Sequence, residues 1–205
     1  MNGTKIKLCG LSRIEDIEVA NTLKPDYIGF VFWEKSKRNV FPETARELKI
    51  ALLPGIKAVG VFVDEAPEKV AGLLDEGIID VAQLHGHEDE EYMARLRALA
   101  PGKEIIKAFV IRSPEDLKAA EKSTADYLLL DSGTGTGKAF DHELLKSADI
   151  KKPWFLAGGM NPENVGEAID LLNPFGVDVS SGIETDGKKD PDKMKRFVEE
   201  VRKTQ

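Results

Sequence analysis

Short apolar runs recur eight times along the chain, and each run is followed by a polar turn. The runs are too continuously apolar for strands with one face in water, and they have the pattern of parallel strands buried on both faces. In order, the eight runs are KIKLC, DYIGFVF, KAVGVFV, DVAQLH, EIIKAFV, DYLLLD, WFLAGG and GVDVSS. The pattern therefore predicts eight buried parallel strands.

Amphipathic stretches with helix-start signals follow seven of the eight runs. They are SRIEDIEVANTL, FPETARELKIALL, APEKVAGLLDEG, EDEEYMARLRALA, SPEDLKAAEK, NPENVGEAIDLL and DPDKMKRFVEEVRK. Ser113, Asn161 and Asp190 each stand before a proline and an acidic residue, which is typical of an N-cap followed by proline in the first turn. The sixth run is followed instead by a long glycine-rich segment with only a weak helical pattern.

This alternation of strands and helices indicates an α/β protein. Eight units in 205 residues give about 25 residues per unit, close to the lower size limit of a closed (β/α)8 TIM barrel. No linker or shift in composition divides the chain, so residues 1–205 are interpreted as a single barrel domain. An open doubly wound sheet is the alternative, but its edge strands would be half-polar, and none of the eight runs clearly is.

Composition limits the compartment and the partners. The apolar runs are far shorter than the roughly 20 residues that span a membrane, and the start of the chain lacks the long apolar segment of a signal peptide. A single cysteine allows no intrachain disulfide, so a cytoplasmic protein is expected. The net charge of −7 disfavours nucleic acid as a partner, because phosphate backbones require a basic face.

Candidate functional residues follow from the barrel, because barrel enzymes place their chemistry at the carboxyl ends of the strands. Those ends supply Cys9, His85, Asp131 and Asp178, and the loop after the second run supplies Arg38. Alternation along a strand puts Lys7 and Cys9 on one face of the first strand. A carboxylate at the end of YLLLD is costly to bury without a task or a partner, which singles out Asp131.

A phosphate site is predicted from the loops after the last two strands. LAGGMNPENV supplies Gly158 and Gly159, and VDVSSGIE supplies Ser180, Ser181 and Gly182. Backbone N–H groups of these loops, with the amino end of a short helix begun by Ser181 and Gly182, are expected to hold a phosphate group, as is common in these barrels. The alternative is that both loops are ordinary tight turns.

Two other motifs do not fit their usual functions. SGTGTGKAF resembles a nucleotide-binding P-loop, but Ser132 replaces its first glycine and Ala139 replaces the residue that holds magnesium. We interpret the stretch 132–138 as a mobile lid. His85 and His87 are two residues apart without a further ligand to complete a zinc site, so no metal is expected.

The motifs KLCGLSR, GFVFWEKSKRNV, VGVFVD, QLHG, LLLDS with GTGKAFD, AGGMNPENV and VDVSSGIE together resemble the phosphoribosylanthranilate isomerase family of tryptophan biosynthesis. They occur in the same order through nearly the whole chain. The resemblance implies a (β/α)8 barrel that uses no metal or organic cofactor. It also implies an Amadori rearrangement, which opens the furanose of N-(5'-phosphoribosyl)anthranilate and yields an aminodeoxyribulose phosphate.

The resemblance assigns a role to each candidate. Cys9 corresponds to the general base that removes the C2 proton, and Asp131 corresponds to the general acid that protonates the ring oxygen. Arg38 corresponds to the arginine that binds the anthranilate carboxylate, for which a planar guanidinium is well suited. His85 and Asp178 correspond to polar residues that line the substrate pocket. Because a thiol is a poor base at neutral pH, the site is expected to favour the thiolate.

Several alternatives remain open on sequence alone. Cys9 could be inert packing, and Lys7 could either promote the thiolate or be a paired charge in the barrel floor. Arg38 could be a surface charge, His85 a hydrogen-bonded residue of the rim, and Asp178 a residue that holds the turn after the last strand. Two other functions fit the sequence: a related phosphosugar isomerase of the aminoimidazole carboxamide ribotide type, and a non-catalytic barrel that binds phosphate ligands. A monomer and a homodimer are equally compatible with the sequence.

Overall fold

All eight predicted strands are present in the computed structural model, which describes residues 3–131, 144–145 and 150–204. The strands are β1 (Lys5–Cys9), β2 (Tyr27–Val31), β3 (Lys57–Phe62), β4 (Val81–Leu84), β5 (Glu104–Val110), β6 (Tyr127–Asp131), β7 (Trp154–Ala157) and β8 (Gly176–Val179). Each strand pairs with the next one in the chain, and β8 pairs with β1. The closed ring confirms the (β/α)8 barrel and excludes the open sheet.

The ring closes through a parallel register between the first and the last strand. Lys5 lies opposite Gly176, and Lys7 lies opposite Asp178. Residues that are 171 positions apart in the chain therefore become immediate neighbours in the sheet. This register brings a lysine and an aspartate together directly below the end of β1.

Seven α-helices lie within the described ranges, each inside a stretch that the sequence predicted to be helical. They are α1 (Ile14–Leu23), α2 (Pro42–Ala51), α3 (Pro67–Asp75), α4 (Glu90–Leu99), α5 (Pro114–Lys122), α6 (Val165–Leu172) and α7 (Pro191–Lys203). None of them is long and apolar enough to cross a membrane. The expected lid at 132–138 lies outside the described residues.

Two of the three predicted N-caps are confirmed. Ser113 Oγ accepts from the backbone N–H of Asp116 at 3.3 Å, and Asp190 accepts from the N–H groups of Asp192 and Lys193. The third prediction is confirmed in its hydrogen bonds but not in the start of the helix, because α6 begins at Val165 rather than just after Asn161. Asn161 makes the bonds of an N-cap one turn earlier: its Oδ1 accepts from the N–H groups of Glu163 and Asn164, and its carbonyl accepts from the N–H of Val165 at 3.1 Å.

The barrel interior is apolar toward the amino ends of the strands. Its buried members are Tyr27, Val59, Val81, Ile106, Ala108, Leu129, Phe155 and Ala157. The Phe155 ring packs edge-on against Tyr27 and Phe175, with centroids 5.4 Å apart in both pairs. A second apolar layer fills the space between strands and helices. The packing of these rings closes the amino end of the barrel.

A short excursion separates β8 from the last helix. A 3-10 turn at Ser181–Ile183 leads into the antiparallel hairpin of β9 (Glu184–Thr185) and β10 (Lys188–Lys189). Glu184 and Lys189 are paired in the hairpin register. We call these residues, 184–189, the hairpin. It lies at the carboxyl end of the barrel, beside the loop that carries Ser180 and Ser181.

Candidate active site

The carboxyl ends of the strands surround a cavity of about 580 Å³. All ten residues that the sequence predicted for the site line this cavity: Cys9, Arg38, His85, Asp131, Gly158, Gly159, Asp178, Ser180, Ser181 and Gly182. The cavity lies at the end of the barrel where enzymes of this fold carry out their chemistry. Residues spread over most of the chain are thus brought to one place.

Cys9 ends β1 with only 7% of its surface exposed. Burial raises the pKa of the Cys9 thiol, the positive charge of Lys7 opposes the rise, and Asp178 adds to it. The expectation that the site favours the thiolate was therefore wrong in direction. The physical reason is that Lys7 shares its charge with Asp178, at 2.8 Å between Nζ and Oδ1, and so offsets the burial of Cys9 only in part.

Lys7 is a paired charge, as one of the two interpretations of this residue held. Its side chain is completely buried, and burial lowers its pKa, but Asp178 and Cys9 outweigh burial so that the pKa is raised. The ammonium group is thus retained inside the barrel. The other interpretation was that Lys7 promotes the thiolate. Lys7 does lower the pKa of Cys9, but burial of the thiol raises that pKa by more.

Gly29 on β2 leaves the space that the thiol occupies. A Cβ atom at position 29 would come within 2.7 Å of Cys9 Sγ. Since the two residues are paired in the sheet register, any side chain here would push the sulfur from its place. The sequence of β2 therefore helps to determine where the thiol points.

His85 lies between Gln83 and Asp131. Gln83 donates from Nε2 to Nδ1 of His85 at 3.0 Å, which leaves the imidazole hydrogen on Nε2 in this amide orientation. That nitrogen is 3.8 Å from Asp131 Oδ2. Burial lowers the pKa of His85, so a neutral ring faces Asp131 at pH 7. Sequence reasoning overlooked Gln83, although its position two residues before His85 on one strand face could have indicated it.

Arg38 makes a contact that the sequence did not predict. Its Nε and Nη2 donate to the two carboxylate oxygens of Glu184 at 2.6 and 2.8 Å. Lys189 contacts the same carboxylate at 2.7 Å and also donates to the carbonyl of Ser180. Burial by itself raises the pKa of Glu184, but these cations lower it to about 2. Short loops rich in charges are usually solvated, so only the position of Glu184 just after the phosphate loop could have marked it.

The two predicted phosphate loops pack directly on each other. Gly158 and Gly159 have φ of 89° and 68°, a region that residues with a Cβ rarely adopt. A Cβ at Gly182 would come within 2.0 Å of the Met160 carbonyl oxygen, so the close approach of the loops requires glycine there. The amide of Asn164 donates to the Gly159 carbonyl at 3.0 Å and holds the first loop in place. The result is a concave, backbone-lined rim.

A thiol, a carboxyl group and an imidazole that face one cavity can transfer protons, and the rim and Arg38 can bind anions. Together with the closed barrel, they define an enzyme of the (β/α)8-barrel class built for acid–base chemistry on an anionic substrate. Within the described residues, no group of three or more His, Cys, Asp or Glu side chains could hold a metal ion.

Comparison with known proteins gives the family. A model of N-(5'-phosphoribosyl)anthranilate isomerase matches residues 6–200. A protein of that name from Clostridium kluyveri is 48% identical over 199 residues, which cover 97% of this chain and 98% of that protein. One from a Thermoanaerobacter species is 45% identical with the same coverage of both chains. The chain belongs to the N-(5'-phosphoribosyl)anthranilate isomerase family.

Solved structures agree with this assignment. Phosphoribosylanthranilate isomerase from Thermotoga maritima is 37% identical and superposes with a TM-score of 0.87, over 98% of this chain and 99% of that one. A second structure, of monomers generated from the dimeric Thermotoga maritima enzyme, is 38% identical with a TM-score of 0.86, over 98% of this chain and 99% of that one. A further isomerase, 36% identical with a TM-score of 0.86 and the same coverage, was crystallised with reduced 1-(o-carboxyphenylamino)-1-deoxyribulose 5-phosphate.

Proposed function

We infer that the chain catalyses the Amadori rearrangement of N-(5'-phosphoribosyl)anthranilate to 1-(2-carboxyphenylamino)-1-deoxyribulose 5-phosphate, a step of tryptophan biosynthesis. The observation that carries this proposal is one cavity in a member of this family, lined by a thiol, a carboxyl group, a guanidinium group and two glycine-containing loops. Each of these groups has a task in this reaction, which needs an acid at the ring oxygen and a base at C2 of a substrate with two anionic groups.

Asp131 acts first in this scheme. It donates a proton to the ring oxygen of the furanose, the bond from C1 to that oxygen breaks, and the nitrogen lone pair forms a C1=N double bond. The product is an open-chain Schiff base. The Nε2–H group of His85, 3.8 Å from Oδ2 of Asp131, presents the positive end of its dipole to the carboxylate that the transfer leaves behind.

Cys9 acts second. Its thiolate removes the proton from C2, the electron pair forms a C1=C2 double bond, and the nitrogen becomes neutral. The resulting enolamine tautomerises to the ketone, with a proton added at C1 and the C2 hydroxyl proton released. Lys7 stabilises the thiolate, and its partner Asp178 holds the ammonium group in place.

Two anchors hold the substrate at its ends. The backbone N–H groups of the loops at Gly158, Gly159, Ser180, Ser181 and Gly182 bind the phosphate group. Arg38 binds the anthranilate carboxylate with the N–H groups that Glu184 does not use. Fixing both ends leaves C1 and C2 between Cys9 and Asp131, which lowers the entropic part of the barrier.

The test is the reaction itself. The purified protein should consume N-(5'-phosphoribosyl)anthranilate, which is measured as a loss of substrate fluorescence. Its gene should also restore growth of a tryptophan auxotroph that lacks the isomerase. Turnover of the histidine-pathway aminoaldose in place of this substrate would favour the related isomerase of the aminoimidazole carboxamide ribotide type, although Cys9 stands where that type would have an aspartate. Tight binding of a product analogue without any turnover would indicate a non-catalytic barrel.

Further properties belong to the same proposal. Residues 1–205 act as a single catalytic domain in the cytoplasm on a small-molecule substrate, without nucleic acid or membrane partners. A monomer and a homodimer both fit this activity, because every group that the mechanism uses is supplied by one chain. Sedimentation at two protein concentrations distinguishes the two states.

A further inference from the structure

Arg38 is bound by a carboxylate of its own chain before it meets any substrate carboxylate. Glu184 accepts from Nε and from Nη2, so it occupies one edge of the planar guanidinium group. Arginine carries five N–H donors, and this contact uses two of them. Arg38 also lines the cavity, so the remaining donors are available for a ligand there. The bidentate contact fixes the plane and the direction of the guanidinium group.

An acidic residue in this position raises an electrostatic difficulty. Glu184 alone would cancel the charge of Arg38 and weaken any anion site that Arg38 forms. Lys189 removes the difficulty, because its side chain is only 2% exposed and its ammonium group contacts Glu184 at 2.7 Å. Two cations and one anion leave a net charge of one positive unit. Lys37 lies 3.9 Å from Glu184 but is mostly exposed, so solvent screens it.

The surroundings hold this cluster rigidly. Glu184 and Lys189 face each other across the hairpin, and Lys189 is tied to the Ser180 carbonyl at 2.9 Å. Gly10, which has a φ of 76°, lies under the stem of Arg38, and a Cβ at that position would come within 2.5 Å of Cδ. The stem and the head of Arg38 are therefore both constrained, by different elements of the barrel.

We propose that Glu184 is a positioning residue for substrate recognition, which holds Arg38 by one edge so that the other edge faces the carboxylate of the substrate, while Lys189 keeps the cluster positively charged. This inference rests on the proposed function, since it concerns the carboxylate of that substrate. Glu184 itself touches neither the substrate nor the reacting atoms in this scheme.

A positioning role and a purely electrostatic role of Glu184 predict opposite changes in substrate affinity when Glu184 is replaced. If Glu184 only contributed negative charge, its removal would strengthen the binding of an anionic substrate. If Glu184 positions Arg38, its removal weakens binding, because the freed guanidinium must be ordered again each time a ligand binds. The variant Glu184→Gln keeps the shape of the side chain while losing the charge and one acceptor.

The experiment measures the binding of two ligands by calorimetry. One is reduced 1-(o-carboxyphenylamino)-1-deoxyribulose 5-phosphate, and the other is the same compound with phenyl in place of o-carboxyphenyl. The ratio of their Kd values reports the carboxylate contact alone, since the phosphate is common to both. Glu184→Gln should reduce the preference for the carboxylated ligand about tenfold, the size expected for hydrogen bonds to a charged group.

Two further variants make the result specific. Glu76→Gln removes the partner of Arg46 on the outside of the barrel and should leave both Kd values unchanged. In an Arg38→Lys background, Glu184→Gln should have little additional effect, because the group that it positions is gone. The phenyl ligand also serves as a check that the variants retain a folded phosphate site.

The outcomes separate the two proposals. An unchanged or increased carboxylate preference in Glu184→Gln, or equal losses for both ligands, would overturn the positioning role while leaving the proposed function intact. Full additivity of the Glu184 and Arg38 changes would overturn it as well. If the unaltered protein bound neither ligand, the proposed function itself would be wrong, and this inference would fall with it.

Discussion

The thiol of Cys9 shares the barrel interior with a lysine and an aspartate that act on it in opposite directions. Burial raises the pKa of Cys9, Lys7 lowers it, and Asp178 raises it again. The thiol is therefore the dominant form of this residue at neutral pH, and the reactive thiolate is a minority species. A base with this property works best at alkaline pH, so the rate should follow the titration of Cys9.

This balance predicts opposite shifts for two substitutions. Asp178→Asn should lower the pKa of Cys9, because it removes a negative charge and releases Lys7 from its partner. Lys7→Met should raise the pKa further. The measurement is the rate of Cys9 alkylation as a function of pH, and the acidic limb of the kcat/KM profile should move in the same direction. Shifts of equal sign in both variants would contradict the arrangement described here.

The two proton-transfer residues should be separable from the binding residues by kinetics. Asp131→Asn and Cys9→Ser should each lower kcat by about 10²-fold or more, the usual contribution of a general acid or base. KM should change little, because the amide and the hydroxyl retain the shapes of the original groups. Steady-state kinetics of the purified variants checks this. Near-normal turnover in Cys9→Ser would make the thiol a packing residue.

At the scale of elements, the two loops after β7 and β8 act as one unit. Gly158 and Gly159 adopt left-handed backbone conformations, and Gly182 lies against the carbonyl of Met160. The glycines of these loops have two separate functions: Gly158 and Gly159 allow a positive φ, and Gly182 allows close contact between the loops. In the proposed phosphate site, Ser180 and Ser181 are expected to contribute mainly through their backbone N–H groups.

These properties predict unequal effects of two substitutions in the loops. Gly159→Val should raise KM strongly, because valine is strained at a φ of 68° and would extend a branched side chain beside the phosphate rim. Ser181→Ala should have a much smaller effect, since it retains the backbone N–H. KM values of both variants, measured with kcat, provide the test. Equal insensitivity of KM to both changes would argue against a phosphate site here.

Element boundaries were predictable where a local signal decides them. Ser113 and Asp190 start their helices as the sequence indicated, because each caps free N–H groups of the first turn and is followed by a proline. Asn161 carries the same signal, yet its helix starts later. A second asparagine, Asn164, accepts from the backbone N–H of Asn161 and so closes a turn just ahead of the assigned helix.

At the scale of the whole molecule, the two ends of the barrel have different tasks. The amino end is packed with aromatic rings around Phe155, whereas the carboxyl end carries the ionisable residues of the cavity. Substitutions at the first end should affect stability, and those at the second should affect catalysis.

The rings at the amino end allow a direct test of this division. Phe155→Ala should lower the free energy of unfolding by roughly 3–5 kcal/mol, the usual cost of removing a buried phenylalanine, and should reduce Tm by roughly 10 °C. The kcat of the remaining folded protein should stay close to that of the unaltered protein. Thermal unfolding followed by circular dichroism, together with kinetics well below Tm, measures both quantities. A large loss of kcat at unchanged stability would contradict the division.

The barrel and the members of its site could be predicted from the sequence, because eight apolar runs determine the strands and the fold then determines where their ends meet. The contacts between the residues of the site could not be predicted from the sequence. Arg38 and Glu184 are 146 positions apart, and no local pattern indicates that one binds the other. The direction of the Cys9 pKa shift was also beyond sequence reasoning, since it depends on the depth of burial and on the division of the Lys7 charge.

The pairing of β1 with β8 also has a consequence for how the chain matures. Lys7 cannot meet Asp178, and Cys9 cannot be enclosed, until the last strand has joined the first. During synthesis from the amino end, the thiol is therefore expected to stay open to reagents until β8 has been made and has paired with β1. Because it is the sole cysteine, the fall in its alkylation rate reports ring closure, and a pulse of thiol reagent during refolding should time that event.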